Sequence, residues 1–344
     1  MSSQFTIEEI RKAAQSAAVL GVIHAQIETN AERRTRELKP FLELTIRDLT
    51  GFLVVRVWQD HPYFVFCGGL APGACVALEG EFVLGTTFGL EPRNWSMRAL
   101  DAEERHALFS GSPEAQELQR REYAEIEAAV TSIVDPRLKR LSELFLEEFG
   151  ERFRRAAGAR SVHHARRGGL VQHVAQMIRT TSALTSVYPG LNRDLLLAGV
   201  LFHDAGKLWE NAFPREGFQM PFDVLGELVG HITIGAELIN RLWTKLRQDP
   251  LYESWKDAKP ESELVRWHLL HLVAAHHGEK QFGSPVEPKT PEAMALHLID
   301  NLDAKLEIMA GAYRTGHRLS PDIVERVRPL PGHLVEPLSG FTPR

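Results

Sequence analysis

Alternating apolar and polar positions dominate the first hundred residues of the chain. Residues 41–47 and 52–58 alternate with the two-residue period of half-buried strands, and the segment 48–51 between them has the composition of a tight turn. Pro72-Gly73 marks a second turn, and Gly80 interrupts the apolar run 75–84, where a bulge or a tight bend would lie. Several short strands without a helical period between them predict a small antiparallel barrel over residues 1–100.

The period changes to that of helices beyond residue 101. Residues 114–134 are charged with apolar residues at helical spacing, Asp135-Pro136 interrupts them, and an i, i+3, i+4 stripe follows at Leu138, Leu141, Leu144, Phe145, Phe149 and Phe153. We interpret residues 101–160 as a helical connector whose apolar face docks on another element. An all-helical domain is predicted over 161–320, with helices at 170–188, from the Asn192 cap to Gly206, at 225–246, at 261–276 and from Thr290-Pro291 onward.

Length and composition indicate a globular protein with more than one domain. A chain of 344 residues, 44% apolar and 25% charged, is long enough for two cores. The prolines and glycines of residues 321–344 predict an irregular tail. Cys67 and Cys75 form neither a disulfide framework nor a closely spaced metal pair. Because the chain has neither a long apolar run nor a signal peptide at its start, we expect no membrane association and a cytoplasmic location.

The net charge of -5 argues against a surface that is positive throughout, so binding to nucleic acid would require local patches. One patch consists of Arg33, Arg34 and Arg36 with the aromatic Trp58, which suits phosphates and stacked bases and is typical of an OB-fold-like barrel. Core packing of the aromatic residue beside a solvated loop is the alternative. A second patch runs from Arg152 to Arg167. It either lines a path for phosphates or is a solvated face; its members include Arg160, Arg166 and Arg167.

Histidines are concentrated in the helical part of the chain, where ten of the fifteen lie between His163 and His297. His203-Asp204 ends an almost wholly apolar helix, where an unpaired carboxylate would be costly and a bound cation would remove the cost. Mixed imidazole and carboxylate ligands suit Mn, Fe, Zn or Mg. The candidate ligands are His173, His203, Asp204, His231, His276, His277 and Asp300. Seven are too many for one tetrahedral ion, so we expect two ions bridged by Asp204 and phosphoryl-transfer chemistry.

Three further residues are candidates for supporting roles. Lys207 lies one turn beyond Asp204 and would contact an anion in a phosphate site, or would only neutralise a helix C-terminus. His297 and Asp303 flank Asp300 at helical spacing and could orient it by hydrogen bonds. Each histidine taken singly could also be a core residue bonded to a backbone carbonyl.

The order of these residues resembles the HD-domain metal-dependent phosphohydrolases, in the branch that binds two metals. Longer segments resemble the YhaM-type 3′-to-5′ exoribonucleases, which join an N-terminal OB-fold to a C-terminal HD domain. The segments that carry this resemblance are 163–170, 191–199, His276-His277-Gly278-Glu279 and 298–305, with a weaker match at 44–58 and 73–82.

The resemblance implies hydrolysis of single-stranded RNA to 5′-nucleoside monophosphates, with single-stranded DNA as a second candidate substrate. It implies Mn²⁺ as the cofactor, with Mg²⁺, Fe²⁺ or Co²⁺ as alternatives, and it implies that Lys207 and Arg167 assist Asp204 in the reaction. Self-association is left open. Two other functions also stay open: an HD phosphohydrolase acting on free or cyclic nucleotides with a regulatory barrel, and a nucleic-acid-binding adaptor with an inactive site.

Overall fold

The computed structural model describes residues 3–35, 37–85, 89–160 and 164–338, and its elements follow the two predicted periods. The strands are β1 Gln4–Phe5, β2 Val19–Arg34, β3 Pro40–Arg47, β4 Phe52–Trp58, β5 Cys75–Gly85, β6 Gly89–Ala99, β7 Arg318–Ser320, β8 Ile323–Val324 and β9 Leu334–Val335. The helices are α1 Ile7–Ala13, α2 Phe64–Gly68, α3 Ala102–Ser110, α4 Pro113–Thr131, α5 Pro136–Arg155, α6 Gly169–Val187, α7 Arg193–Phe202, α8 Lys207–Glu210, α9 Val224–Val229, α10 His231–Leu246, α11 Ser262–Ala275 and α12 Pro291–Thr315.

The chain divides into two compact units. Unit 1 comprises Met1–Glu117 together with Pro214–Gln219, and unit 2 comprises Leu118–Phe213 together with Met220–Arg344. The predicted connector 101–160 is therefore shared, with α3 in unit 1 and α5 in unit 2. Periodicity could identify these helices, but it could not show which core each one would join.

Unit 1 is an open, barrel-like antiparallel sheet in the order β4-β3-β2-β5-β6, with β1 beside β2. The predicted hairpin is confirmed, since β3 pairs with β4 from Phe41 opposite Trp58 to Arg47 opposite Phe52. The predicted bulge is also present, because the register of β5 shifts at Gly80. A Cβ at Gly80 would lie 2.7 Å from Cβ of Trp95. The bulge therefore needs a residue without a side chain.

The central strand β2 was only partly visible in the sequence. It is 16 residues long and pairs with β5 through its first half and with β3 through its second half. Arg33 and Arg34 are the last residues of this strand, whereas the sequence suggested a loop there. The alternation of β2 continues through charged residues that carry no hydrophobic signal, and for that reason its end was not predicted.

Unit 2 is a helical bundle in which the predicted apolar stripe of α5 is buried. Leu138, Leu141, Phe145 and Phe153 belong to its main core together with residues from α6, α7, α10, α11 and α12. Asn192 caps α7 as predicted, since its side-chain oxygen accepts a hydrogen bond from the Leu195 amide at 3.0 Å. Across the described ranges, none of the helices has the length and apolar character that crossing a bilayer requires.

Two predictions for unit 2 need correction. Residues 225–246 form two helices, because Gly230 adopts a φ of 76° and ends α9 before α10 begins at His231. Residues 318–335 form a three-stranded sheet instead of an irregular tail. Val324, Leu330 and Leu334 pack there against Ile308 and Ala312 of α12. These strands are too short to show an alternating pattern.

A buried arginine joins the start of α5 to the loop before α11. The Arg137 side chain is 1% exposed, and its Nη1 donates hydrogen bonds to the carbonyl oxygens of Pro260 at 2.6 Å and Ala258 at 3.3 Å. Its Nη2 lies 2.7 Å from Oδ2 of Asp135, the cap of α5. A buried charge with this many partners is expensive to remove, because each partner would be left without its donor.

We expect Arg137→Met to destabilise the helical unit by about 3 to 5 kcal/mol, the usual effect of breaking a buried ion pair. Thermal unfolding followed by circular dichroism checks this. Arg179→Met is the matched control, since Arg179 makes a solvent-exposed ion pair with Glu125 and should change stability by no more than about 1 kcal/mol. Equal effects of the two substitutions would contradict the anchoring role of Arg137.

Candidate metal centre

Five histidines are oriented in the same way. The Nδ1 atom of each lies within hydrogen-bonding distance of an oxygen: His173 to Oδ2 of Asp303 (2.7 Å), His203 to the carbonyl of Val200 (2.8 Å), His231 to Oε2 of Glu210 (3.2 Å), His276 to the carbonyl of Val273 (2.7 Å) and His277 to the carbonyl of Phe282 (2.9 Å). Since these oxygens accept, Nδ1 carries the proton. Nε2 is then the ring nitrogen that each histidine presents to a cation.

One half of the site brings together His173, His203, Asp204 and Asp300. The two Nε2 atoms of His173 and His203 lie 3.2 Å apart. Oδ1 of Asp300 lies 3.3 Å from Nε2 of His173, and Oδ2 of Asp204 lies 3.3 Å from Nε2 of His203. Two imidazole lone pairs at this distance repel each other unless a proton or a cation lies between them. The donor set of two imidazoles and two carboxylates fits a divalent cation.

The other half is formed by Asp204 with His231, His276 and His277. Oδ1 of Asp204 lies 3.6 Å from Nε2 of His231 and 3.7 Å from Nε2 of His276. These three atoms are buried, and each has no hydrogen-bond partner among the described residues. The three histidines also form a group with ligand atoms close enough to hold one ion. Buried acceptors without donors are costly, and a cation between them would remove that cost.

The charges around the centre stabilise its carboxylates. Burial alone would raise the pKa of Asp204, but Lys207 and His203 hold it well below the ordinary value. The Nζ of Lys207 lies 2.6 Å from Oδ2 of Asp204. Burial and the neighbouring His203 lower the pKa of His276 well below the ordinary value, and burial and His231 lower that of His277. These two imidazoles are therefore neutral, as metal ligands must be.

Glycine allows the two halves to approach. A Cβ at Gly206 would collide with the backbone carbonyl of His231, the first residue of α10. The segment after His203-Asp204 can therefore lie against the start of α10 only with glycine at position 206. A Cβ at Gly278, where φ is 79°, would collide with the ring of His297. In both cases glycine leaves the space that a histidine needs to lie close to the centre.

The two predicted orienting residues contact histidines instead of Asp300. Oδ2 of Asp303 accepts hydrogen bonds from Nδ1 of His173 at 2.7 Å and from Nε2 of His164 at 2.8 Å. The Nδ1 of His297 donates to the backbone carbonyl of His276 at 2.9 Å. Spacing along α12 placed both residues near Asp300, but their hydrogen-bond partners lie on other elements that the spacing could not reveal.

Sequence reasoning missed His164 and Glu210. His164 is buried beside His173 and Asp303, although it lies within the cationic run. Glu210 ends α8 and holds the Nδ1 of His231. The only sequence feature that pointed to His164 was its position in the adjacent pair His163-His164. His163 itself lies outside the described residues. For Glu210 no pattern in the sequence stood out.

The cationic run has a more structural role than its charge suggested. Nη2 of Arg160 donates to the carbonyl oxygens of Glu210 and Pro221, each at 2.7 Å. Nε of Arg152 donates to the carbonyl of Leu208 at 2.7 Å. Arg160 is thus hydrogen-bonded within the helical unit, and its assignment to nucleic acid stays a prediction. Its donors are needed because the loop after α8 presents carbonyls that no helix satisfies.

The remaining members of the run differ in exposure. Arg166 is half-exposed and lies 3.3 Å from Oε1 of Glu307. Burial, with a smaller contribution from Arg155, lowers the pKa of Arg167 to about 10. The guanidinium group of Arg167 therefore keeps its positive charge at neutral pH. Arg166 is therefore the more accessible of the two for a phosphate.

The aromatic and basic residues of the sheet are accessible. Trp58 is half-exposed and its ring centre lies 5.0 Å from that of Phe41. Trp58 and Lys39 line a groove together with Thr35 and Pro40. Arg34 is exposed at the end of β2, and Arg33 lies 3.8 Å from Glu43. Arg36 lies outside the described residues.

Comparison with known proteins identifies the class of the helical unit and then the family of the chain. Residues 170–305 match the model of the HD domain. Over 312 residues the chain is 30% identical to the 3′-5′ exoribonuclease YhaM of Shouchella clausii, which covers 88% of this chain and 89% of the relative. It is 30% identical over 298 residues to YhaM of Bacillus subtilis, and this alignment covers 85% of this chain and 83% of the relative. The chain belongs to the YhaM family of 3′-5′ exoribonucleases, which confirms the resemblance drawn from its motifs.

We expect metal affinity to rise with pH. Burial disfavours the charge of His173, but Asp300 and Asp303 outweigh burial and raise its pKa to about 9. The free protein therefore carries a proton there at pH 7, and a cation must displace it. Apparent affinity for Mn²⁺ should rise up to about tenfold per pH unit until pH 9, since one unit is worth about 1.4 kcal/mol. Calorimetric titration in buffers of different ionisation enthalpy checks the proton release. Affinity independent of pH would contradict this charge state.

Proposed function

We propose that this protein is a metal-dependent 3′-to-5′ exoribonuclease that hydrolyses single-stranded RNA to 5′-nucleoside monophosphates at a two-ion centre. One observation carries the proposal. Oδ1 of Asp204, Nε2 of His231 and Nε2 of His276 converge as buried acceptors that have no donor in the described part of the chain. Oδ2 of the same carboxylate faces His203 in the other half of the site. A single carboxylate that serves two clusters of nitrogen ligands is the arrangement that a bridging ligand requires.

The ligand sets would divide between the two halves. His173, His203 and Asp300 would hold one ion, and His231, His276 and His277 would hold the other, with Asp204 shared. A pair of divalent ions would supply an activated water and neutralise the charge that develops on the phosphate. Nitrogen and oxygen ligands of this kind accept Mn²⁺, which we propose as the native ion over Mg²⁺, Fe²⁺ or Co²⁺.

The side chains would position the phosphate and balance its charge. Lys207 lies at Asp204, where its ammonium group would stand beside a phosphate oxygen in the pocket. Arg167 would add a second positive charge. The oxygens of Asp303 and the backbone carbonyls behind the histidines keep the imidazoles fixed, so the site needs little rearrangement when the substrate enters.

Unit 1 would hold the upstream RNA. Half-exposed Trp58 offers a ring for stacking, and Arg33 and Arg34 offer charge for phosphates near the same end of β2 and β4. The open, barrel-like sheet is compatible with an OB-fold, which binds single strands in this manner. Single-stranded DNA would fit the same contacts, because neither stacking nor phosphate binding reads the 2′-hydroxyl.

Direction of digestion tests the proposal. An RNA labelled at its 5′ end should shorten through a ladder in the presence of Mn²⁺, and a 3′-labelled RNA should release labelled mononucleotide at once. A terminal 3′-phosphate should slow digestion, because it competes with the scissile phosphate for the ions, whereas a 5′-phosphate should not. Internal cuts would contradict the exonuclease assignment. Hydrolysis of free or cyclic nucleotides with no digestion of RNA would favour the alternative phosphohydrolase.

Asp204→Asn should lower both metal content and turnover, since it weakens the shared ligand. We expect a loss of turnover greater than about a hundredfold, because removing only an outer partner of a ligand already costs roughly 10- to 100-fold. Asp194→Asn in the first turn of α7 is the control, because Asp194 caps backbone amides away from the centre. Full metal content with normal turnover in Asp204→Asn would refute the role of Asp204.

Trp58→Ala should weaken binding of a twenty-nucleotide RNA about tenfold, since stacking of one base contributes roughly 1 to 3 kcal/mol. Cleavage of a dinucleotide, which has no upstream bases to stack on Trp58, should keep its kcat/KM. Fluorescence anisotropy in Ca²⁺ measures the binding. Phe66→Ala, at another partly exposed aromatic residue of unit 1, is the control. Equal losses in the two variants would show that Trp58 has no specific part in binding.

A further inference from the structure

Glu210 makes two contacts with one metal ligand. Its Oε2 lies 3.2 Å from Nδ1 of His231, and its Oε1 accepts a hydrogen bond from the backbone amide of the same residue at 2.6 Å. His231 is the first residue of α10, so one carboxylate both satisfies an amide at the start of the helix and fixes the ring. Both donors require an ionised carboxylate with two accepting oxygens.

The position of Glu210 is itself fixed. Arg160 binds its backbone carbonyl and those of Met220 and Pro221, and the guanidinium group also lies 4.1 Å from the ring centre of Phe222. These contacts tie the end of α8 to the loop that leads into α9. Three hydrogen bonds from one planar group leave Glu210 little freedom to turn away from His231.

The two halves of the centre differ in what orients their histidines. In the half with Asp300, His173 is held by the carboxylate of Asp303 and His203 by a backbone carbonyl. In the other half, His276 and His277 are held by backbone carbonyls, and His231 alone is held by a carboxylate. Each half therefore has one carboxylate-supported histidine, and substituting that carboxylate should affect its own half.

We propose that Glu210 is the positioning residue for the ion held by His231, His276 and His277, and that Arg160 serves that ion by fixing Glu210. This inference rests on the two-ion function proposed above. A carboxylate behind a ligating imidazole keeps the proton on Nδ1, aims Nε2 at the ion and makes the imidazole a stronger donor. Without Glu210 the His231 ring can rotate, and the buried Nε2 loses its alignment with Oδ1 of Asp204.

Glu210→Gln is a sharp test because an amide has one accepting oxygen where the carboxylate has two. In the geometry of Glu210 its oxygen faces either Nδ1 or the backbone amide of His231, and its NH2 group then faces the other donor. Mn²⁺ titration followed by electron paramagnetic resonance counts the bound ions and detects the coupling between neighbouring ones. We expect the affinity for one ion to fall roughly 10- to 100-fold while the other stays bound, and the coupling to disappear at low Mn²⁺.

Four further variants make the result specific. Glu227→Gln removes an exposed charge of α9 and should leave both affinities unchanged. Asp303→Asn should weaken the other ion, and Glu210→Asp should recover part of the loss because it keeps two accepting oxygens. Arg160→Met should reproduce the effect of Glu210→Gln in weaker form. If Glu210→Gln does not fold, Glu210→Asp and Arg160→Met replace it as the test. A partial loss of affinity for one ion in these two variants would support the role of Glu210, and unchanged affinities would overturn it.

The outcomes separate this inference from the function on which it rests. Wild-type protein that binds one Mn²⁺ overturns the two-ion centre and the role of Glu210 with it. Wild-type protein that binds two, with unchanged affinities in Glu210→Gln, overturns the role of Glu210 alone. A third outcome is an equal loss of affinity for both ions in Glu210→Gln. If this variant unfolds in chelator at the same temperature as Glu227→Gln, that outcome would overturn the selectivity of Glu210 for one half of the centre.

Discussion

The structure depends on the buried carboxylate of Asp204, whose negative charge needs cationic or hydrogen-bonding partners. Asp204 is almost fully buried just beyond the end of the apolar helix α7, where an isolated negative charge would be unfavourable. Imidazole nitrogens and Lys207 surround it. The helices of unit 2 therefore have to meet where these ligands lie, and the close approach at Gly206 is one consequence of that requirement.

Three of the candidate ligands lie at helix ends, where a bundle can bring side chains from different helices together. His203 follows α7, His231 begins α10 and His276 follows α11. At such positions backbone carbonyls and amides are free to orient side chains. The carbonyls of Val200 and Val273 hold the first and third of these histidines. The helix ends thus supply both the ligands and part of the support that keeps them aligned.

Some arginines of this protein hold its segments together, whereas others stay exposed to solvent. Arg152 and Arg160 fasten the segments around α8, and Arg137 fastens the loop before α11. Arg34 and Arg166 remain accessible. A run of arginines in the sequence therefore does not measure a binding surface. Each guanidinium has to be assigned by its partners, because a planar group with five donors satisfies unpaired carbonyls as readily as it binds phosphate.

The sequence by itself determined the two-part architecture, the strand pairing of the hairpin, the helical unit and the candidate ligand residues, because these follow from short-range periodicity and from residue type. It did not reveal the length of β2, the break at Gly230 or the small sheet after α12, where the local pattern is weak. Only the tertiary structure decided which atom of each histidine faces the centre and that Glu210 and His164 support it. Those relations join segments far apart in the chain, and hydrogen bonds between such segments leave no periodic trace in the sequence.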